Sequence, residues 1–337
     1  MIVFGHLGGF WFWRPYSEVL NVFVPIFFFI SGAVSYYSFK RSATSWQYIK
    51  KRIIQLLVPY YGICLCALLV FMITQRTFPA LSVSKLSAWL FIIPYHAIMP
   101  FPLGQVWFLH TLSVITIISP LYFYVYERKP LALYALLGIS LCMAGIQLRI
   151  DIAPFFVVGG HNLFKPLVHI LFFCLGFLVF EIPSWSRLRV SWSIISLSFI
   201  LSIFLWAGLK LNPDFAFHTY SPTLYYVAGS ICSIWIFLLL RRPLLLLFRS
   251  VPLFSVIVKF LFTHTFAIYL IHSFSIYFVE EIFGLIHPQN HLIFYVISKV
   301  TLVMLITFVL APPFTRITSL ITGTFLGKRQ LHRPVTA

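Results

Sequence analysis

The 337-residue chain is 61% hydrophobic and 19% aromatic, with only 9% charged residues and a mean hydropathy of +0.96. Charged residues make up about a quarter of an ordinary soluble domain, so this composition excludes one and marks a polytopic membrane protein. The net charge of +17 would suggest nucleic acid in a soluble protein, but here its meaning depends on where the basic residues fall.

A membrane-crossing helix needs about 20 mostly apolar residues. In chain order, the apolar runs predict ten spans: 1–13, 19–39, 53–74, 106–126, 131–149, 165–181, 191–209, 222–240, 260–282 and 292–313. The repeated long runs, and the lack of a basic n-region and cleavage site in the first thirteen residues, exclude a secreted protein with one signal peptide. Alternating segments of about ten residues, the mark of a transmembrane barrel, do not occur. The patch LSAWLFIIPYHAIM (86–99) is shorter and interrupted by Pro94, so it reads as an interfacial or re-entrant segment.

With the N-terminus placed in the cytoplasm, seventeen of the 24 basic residues fall in inner loops or the C-terminal tail. They include Lys40, Arg41, Lys50, Lys51, Arg52, Arg128, Lys129, Arg187, Arg189, Arg241, Arg242, Arg249 and Lys259. This is the positive-inside pattern, and an eleventh span at 86–99 would destroy it. The expected fold is therefore an all-α polytopic membrane helix bundle with about ten transmembrane helices and both termini cytoplasmic. It forms a single integral membrane domain over 1–337, with 314–337 as a cytoplasmic tail. Thirteen residues reach only about 20 Å against a core of about 30 Å, which predicts an N-terminally truncated first helix.

The five cysteines, Cys64, Cys66, Cys142, Cys174 and Cys232, all lie in apolar runs and read as small hydrophobes. No zinc spacing, phosphate-binding glycine loop, dinucleotide fingerprint or GxSxG elbow is present. Four stretches hold residues that could carry chemistry. NVFVPIFFFISGAVSYYSFKR (21–41) places Ser31-Gly32 after an aromatic run, in keeping with close helix packing. YIKKRIIQLLVPYYG (48–62) sets Lys50, Lys51 and Arg52 before Pro59. Two readings stay open there: a topological anchor, or a site for a cytoplasmic donor with several phosphates, such as a coenzyme A thioester.

LGQVWFLHTLSVI (103–115) puts Trp107 and His110 on one face of a helix start. THTFAIYLIHSFSIYFVEEIF (263–283) carries His264, Tyr269 and His272, with Glu280 and Glu281 toward the outer side. Ionisable groups within spans are costly, so His6, His110, His169, His264, His272 and Lys299 are all functional candidates.

In this order the motifs resemble the acyltransferase 3 family of integral membrane O-acyltransferases. They are Gly5-His6, VPIFFFISG, KR followed by PYY, WFL from Trp107, and IYLIH around Tyr269. The resemblance covers essentially the whole chain. It implies transfer of an acetyl or other short acyl group from cytoplasmic acyl-CoA to a hydroxyl of a cell-surface or lipid-linked carbohydrate, in the bacterial cytoplasmic (inner) membrane.

The implied roles fall on matching positions. His6, Tyr269 and His272 are expected at the catalytic centre, and Lys50, Lys51, Arg52, Ser31 and Trp107 at the donor site, with no metal and no resident cofactor. The expected partners are acyl-CoA, a carbohydrate or lipid-linked glycan and the bilayer. The chain departs from the family pattern in three places. It begins five residues before His6, where the family carries an Arg eleven before. Gln55 replaces a second basic residue, and Gln105 stands where a histidine precedes WFL. A glycan transporter or flippase, or an inactive truncated member, is the alternative that ten spans with intramembrane His and Lys also allow.

Overall fold

The computed structural model describes residues 21–75, 83–92, 106–181, 184–283 and 292–326. The segment 1–13 with His6, the residues 93–105 and the tail after 326 lie outside the described residues. Helices α1 (Val24–Lys40), α2 (Ser45–Gln75), α3 (Val83–Phe91), α4 (Trp107–Arg128) and α5 (Pro130–Ile146) come first. A hairpin, β1 (Val157–Val158) and β2 (His161–Asn162), precedes α6 (Phe164–Glu181) and α7 (Ser184–Ile203). The chain closes with α8 (Phe215–Tyr220), α9 (Leu224–Ser250), α10 (Pro252–Phe283) and α11 (Leu292–Leu326).

Hydrocarbon offers no partner to a backbone N–H or C=O, so a spanning segment must close its hydrogen bonds within itself. The apolar runs accordingly become helices, and the result is an all-α membrane protein. Among the described residues, six helices are long and apolar enough to cross a membrane. Three further apolar stretches, Pro130–Ile146, Phe164–Val179 and Trp192–Gly208, are shorter. Helices α2, α9, α10 and α11 extend beyond their predicted apolar limits at 53, 240, 260 and 313. Hydropathy marks only the part suited to hydrocarbon, whereas a helix can continue through flanking basic residues such as Lys50, Arg249, Lys259 and Arg316.

The chain divides into two compact units. In the first (residues 1–45 and 114–254), α1 packs on α6, α7 on α9, and α5 on α6. Two glycines bring α1 and α6 together. A Cβ on Gly32 would lie 1.8 Å from the Phe173 carbonyl oxygen, and one on Gly176 would lie 1.9 Å from that of Phe29. Small residues that let backbones touch are the usual basis of helix association in lipid, where apolar side chains gain little by leaving the hydrocarbon. Around this crossing Tyr36, Phe123 and Phe177 form an aromatic cluster, with ring centroids 5.2–5.3 Å apart. The packing reading of Ser31-Gly32 thus holds for Gly32.

The β1–β2 hairpin turns at Gly159 (φ 56°) and Gly160 (φ 82°). A two-residue turn with both φ positive is the one that suits strand twist, and glycine adopts it without strain. Helix α9 starts on a built cap. Thr223 Oγ1 accepts from the Tyr226 N–H at 3.5 Å and lies 3.1 Å from His218 Nδ1. His218 Nε2 is 2.9 Å from the Asn212 carbonyl oxygen. Since a carbonyl only accepts, Nε2 carries the proton and Nδ1 accepts from Thr223. Burial pushes the His218 imidazole below its ordinary value, against the opposing pull of the Asn212 carbonyl and the Asp214 charge.

The second unit (residues 46–113 and 255–337) contains α2, α3, the first turns of α4, most of α10, and α11. Three polar contacts join α10 to α11: His264 Nδ1 to Thr315 Oγ1 at 2.9 Å, Thr307 Oγ1 to Ser275 Oγ at 2.9 Å, and Lys299 to Glu280. Residue numbers rise on one helix as they fall on the other, so the pair is antiparallel. Thr315 also donates to the Ala311 carbonyl, so it must accept from His264 Nδ1–H.

Helix α3 covers the start of the patch expected to be interfacial. It ends where Ile92 turns to φ 55°, the left-handed geometry of a helix C-terminus and unusual for a β-branched residue. Its last carbonyls are capped from α2. Tyr60 donates to the Trp89 carbonyl oxygen at 2.8 Å, and Tyr61 to that of Leu90 at 2.7 Å.

Two predictions follow from these contacts. Gly32→Ala or Gly176→Ala forces the α1–α6 backbones apart, with an expected loss of at least about 1–3 kcal/mol. Gly138→Ala, whose Cβ meets nothing within 4 Å, serves as the neutral control, and thermal unfolding in detergent compares them. For His218, the depressed folded value means the unfolded chain binds the proton first. Stability is complete above about pH 6.5 and falls as pH drops below it. His218→Gln should flatten that acid limb of a Tm-versus-pH series.

Candidate active site

The basic cluster lies in the first two turns of α2, where the helical repeat separates its residues onto two sides. Trp46 and Lys50, like Gln47 and Lys51, are four apart and share one side. Tyr48 and Arg52, also four apart, share another, centred roughly 150° away. The first set lines an open cavity of about 240 Å³, with Phe325 and Leu326 from the end of α11 on its other side. The second set faces inward, and Tyr48 is completely buried.

Arg52 as a whole is half-buried, yet its Nε and Nη2 are sealed from solvent with no hydrogen-bond partner among the described residues. A guanidinium is charged at all physiological pH and offers five N–H donors in a rigid fork. Burying such donors unpaired costs several kcal/mol, so the arrangement calls for an acceptor, best an anion with two oxygens to present.

The other expected residues of this unit gather where α4 meets α10. Trp107 begins α4, with its ring edge-on to Phe108 at 6.4 Å. Phe108 in turn meets Tyr269 edge-on at 5.3 Å, and the Tyr269 and His272 rings are 6.0 Å apart. The Tyr269 hydroxyl is hydrogen bonded to the backbone of Leu109. Leu109 lies in the first turn of α4, whose backbone N–H groups have no intrahelical partner, so Tyr269 acts as a cap delivered from another helix. His272 is completely buried, with Nδ1 3.3 Å from the Ile268 carbonyl oxygen. That contact fixes the proton on Nδ1 and leaves Nε2 as the acceptor.

The same unit contains other buried polar atoms with no hydrogen-bond partner among the described residues: Thr111 Oγ1, Ser113 Oγ, Ser273 Oγ and Trp89 Nε1. Sequence reasoning did not single out any of them. Nor did it single out Trp46, Gln47, Phe325 and Leu326. The i, i+4 pairing of Trp46 and Gln47 with the two lysines was a visible signal. Nothing in sequence linked residues 46 and 325.

The remaining candidates separate into other roles. Ser31 is half-buried on α1 in the first unit, and His6 lies outside the described residues. Lys299 has Glu280 as its counter-ion, and His264 is used in the α10–α11 contact. The Glu281 side chain lies outside the described residues. His169, in the first unit, is buried with Nδ1 2.8 Å from the Lys165 carbonyl oxygen and Nε2 3.5 Å from the Tyr226 hydroxyl. Its ring nitrogens are engaged in packing. Among the described residues no group of three or more His, Cys, Asp or Glu could hold a metal.

These features define a multi-pass membrane protein with a basic, partly buried site at one end of a helix and a His–Tyr pair in another. The chain belongs to the acyltransferase 3 family: the family model, described as an acyltransferase domain, matches residues 1–312. The protein is thus a membrane acyltransferase by family. No curated protein and no solved structure gives a significant match.

Proposed function

We propose that this protein transfers an acetyl or other short acyl group from a cytoplasmic acyl-CoA to a hydroxyl of a cell-surface or lipid-linked carbohydrate. The observation that carries this reading is Arg52, whose buried Nε and Nη2 find no acceptor among the described residues, beside a lysine-lined cavity. A coenzyme A diphosphate supplies paired anionic oxygens of the right geometry for the guanidinium fork. The positive-inside distribution supports placing this end of α2 in the cytoplasm, where acyl-CoA is found.

In the chemistry proposed, His6 as a neutral imidazole takes the proton of the acceptor hydroxyl. The hydroxyl oxygen attacks the thioester carbonyl, and the C–O bond forms as the C–S bond breaks. The departing CoA thiolate takes the proton from His6, so the products are an acyl ester and free CoA. Donors near the thioester oxygen stabilise the negative charge that develops there. Tyr269 is proposed for that role, and Tyr269 and His272 for lining the acyl path, with Trp107 completing the donor site. The role of His6 rests on its Gly-His motif, and those of Arg52 and the lysines also on the site described above.

The test uses purified full-length protein, radiolabelled acetyl-CoA and a membrane glycan fraction. Label should appear on glycan hydroxyls. Arg52→Gln should weaken acetyl-CoA binding by about tenfold or more, the value of a hydrogen bond to a charged group. His6→Ala should lower turnover by about a hundredfold or more while donor affinity is kept. Substrate-dependent glycan flux in liposomes with no transfer of label would instead establish a carrier.

A further inference from the structure

The cavity at the start of α2 contains more than charge. At about 240 Å³ it is below the roughly 300–1,000 Å³ of a site that encloses a whole small molecule, so it fits one end of an extended ligand. Its walls combine two ammonium groups, Lys50 and Lys51, with two aromatic faces, Trp46 and Phe325, and the Gln47 amide. Arg52 is the next residue along the helix but turns to the buried side. The two kinds of basic group therefore address two different places. Lysine suits a compact dianion as a point charge, whereas the planar arginine fork suits a diphosphate with several oxygens in a row.

A flat heterocycle, a phosphate monoester and a nearby diphosphate occur together at the nucleotide end of coenzyme A. Resting on the donor reading above, we propose that the Trp46–Lys50–Lys51–Phe325 cavity binds the adenine and 3′-phosphate of the donor, separately from the diphosphate site at Arg52. The adenine stacks against the aromatic wall. Lys50 and Lys51 neutralise the 3′-phosphate. The site then selects true CoA thioesters over donors that end in phosphopantetheine or lack the 3′-phosphate.

A headgroup phosphate of the inner leaflet shares the anionic chemistry, but it has no heterocycle for the aromatic wall. The experiment separates the two. Calorimetric titration of the full-length protein in nanodiscs compares CoA with 3′-dephospho-CoA, in neutral lipid and with anionic lipid added. The wild type should prefer CoA by about tenfold, the effect of charge-assisted contacts to one phosphate.

Lys50→Gln with Lys51→Gln should abolish that preference while 3′-dephospho-CoA binds as before. Trp46→Ala should weaken both ligands by about tenfold through lost stacking. Arg52→Gln should weaken both and leave their ratio intact. The lysine variant is judged on the ratio of two ligands, which partial unfolding cannot imitate, and thermal unfolding in the same nanodiscs checks that Trp46→Ala and Arg52→Gln are folded. Equal affinities in the wild type, or a preference that survives loss of both lysines, overturns the subsite and leaves the donor reading standing. Equal affinities that both fall as anionic lipid is added assign the lysines to headgroups and also overturn it. Binding of neither ligand sinks the donor reading and the subsite together.

Discussion

Hydrocarbon supplies no hydrogen-bond partner, and every polar group placed within this protein has to find one inside it. The backbone meets the requirement by forming helices. Side-chain hydroxyls meet it by bonding back to the preceding turn, as Ser140 does to Leu136, Ser202 to Ser198, Ser233 to Gly229 and Thr318 to Phe314. The costlier groups are paired between helices: Lys299 with Glu280 and His264 with Thr315. Helix ends are capped from elsewhere, by Tyr60 and Tyr61 on α3 and by Tyr269 on α4. Of the buried polar side chains without a partner among the described residues, Arg52 is the charged one, and a bound anion is the partner its chemistry favours.

The family motifs divide accordingly between scaffold and chemistry. The tyrosines of the PYY motif cap α3 and so hold the short helix in place. Gly32, in the VPIFFFISG motif, is there for backbone contact with α6. The tryptophan of WFL begins the helix that Tyr269 of IYLIH caps, so these two motifs meet through the Leu109 backbone and the Phe108 ring. A motif residue in this protein is therefore not automatically a reacting group. Arg52 is set apart by its unsatisfied donors, not by its place in a motif.

Much of the helical layout was legible in the sequence, because apolar length and basic flanks are one-dimensional signals. Described helices occur at the nine predicted segments that follow the first, though three of the apolar stretches are shorter than a full span. Helix ends were less legible: α2 starts at Ser45 and α11 continues to Leu326 because helices outlast their hydrophobic portions. The importance of Lys50, Lys51 and Arg52 could be read from charge and spacing. Their division into an outer cavity and an inward guanidinium could not, since the cavity takes one wall from Phe325 and Leu326 at the far end of the chain. The pairing of Lys299 with Glu280 was equally hidden, as nothing local connects residues on different helices.

The central claim is that Arg52 is kept buried for the phosphates of an acyl donor. The most direct measurement is a cryo-EM structure of the full-length protein in nanodiscs with a non-hydrolysable acetyl-CoA analogue. The account predicts diphosphate density within hydrogen-bond distance of Arg52 Nε and Nη2. Analogue bound elsewhere, with Arg52 contacted by a lipid phosphate or by protein alone, would contradict it.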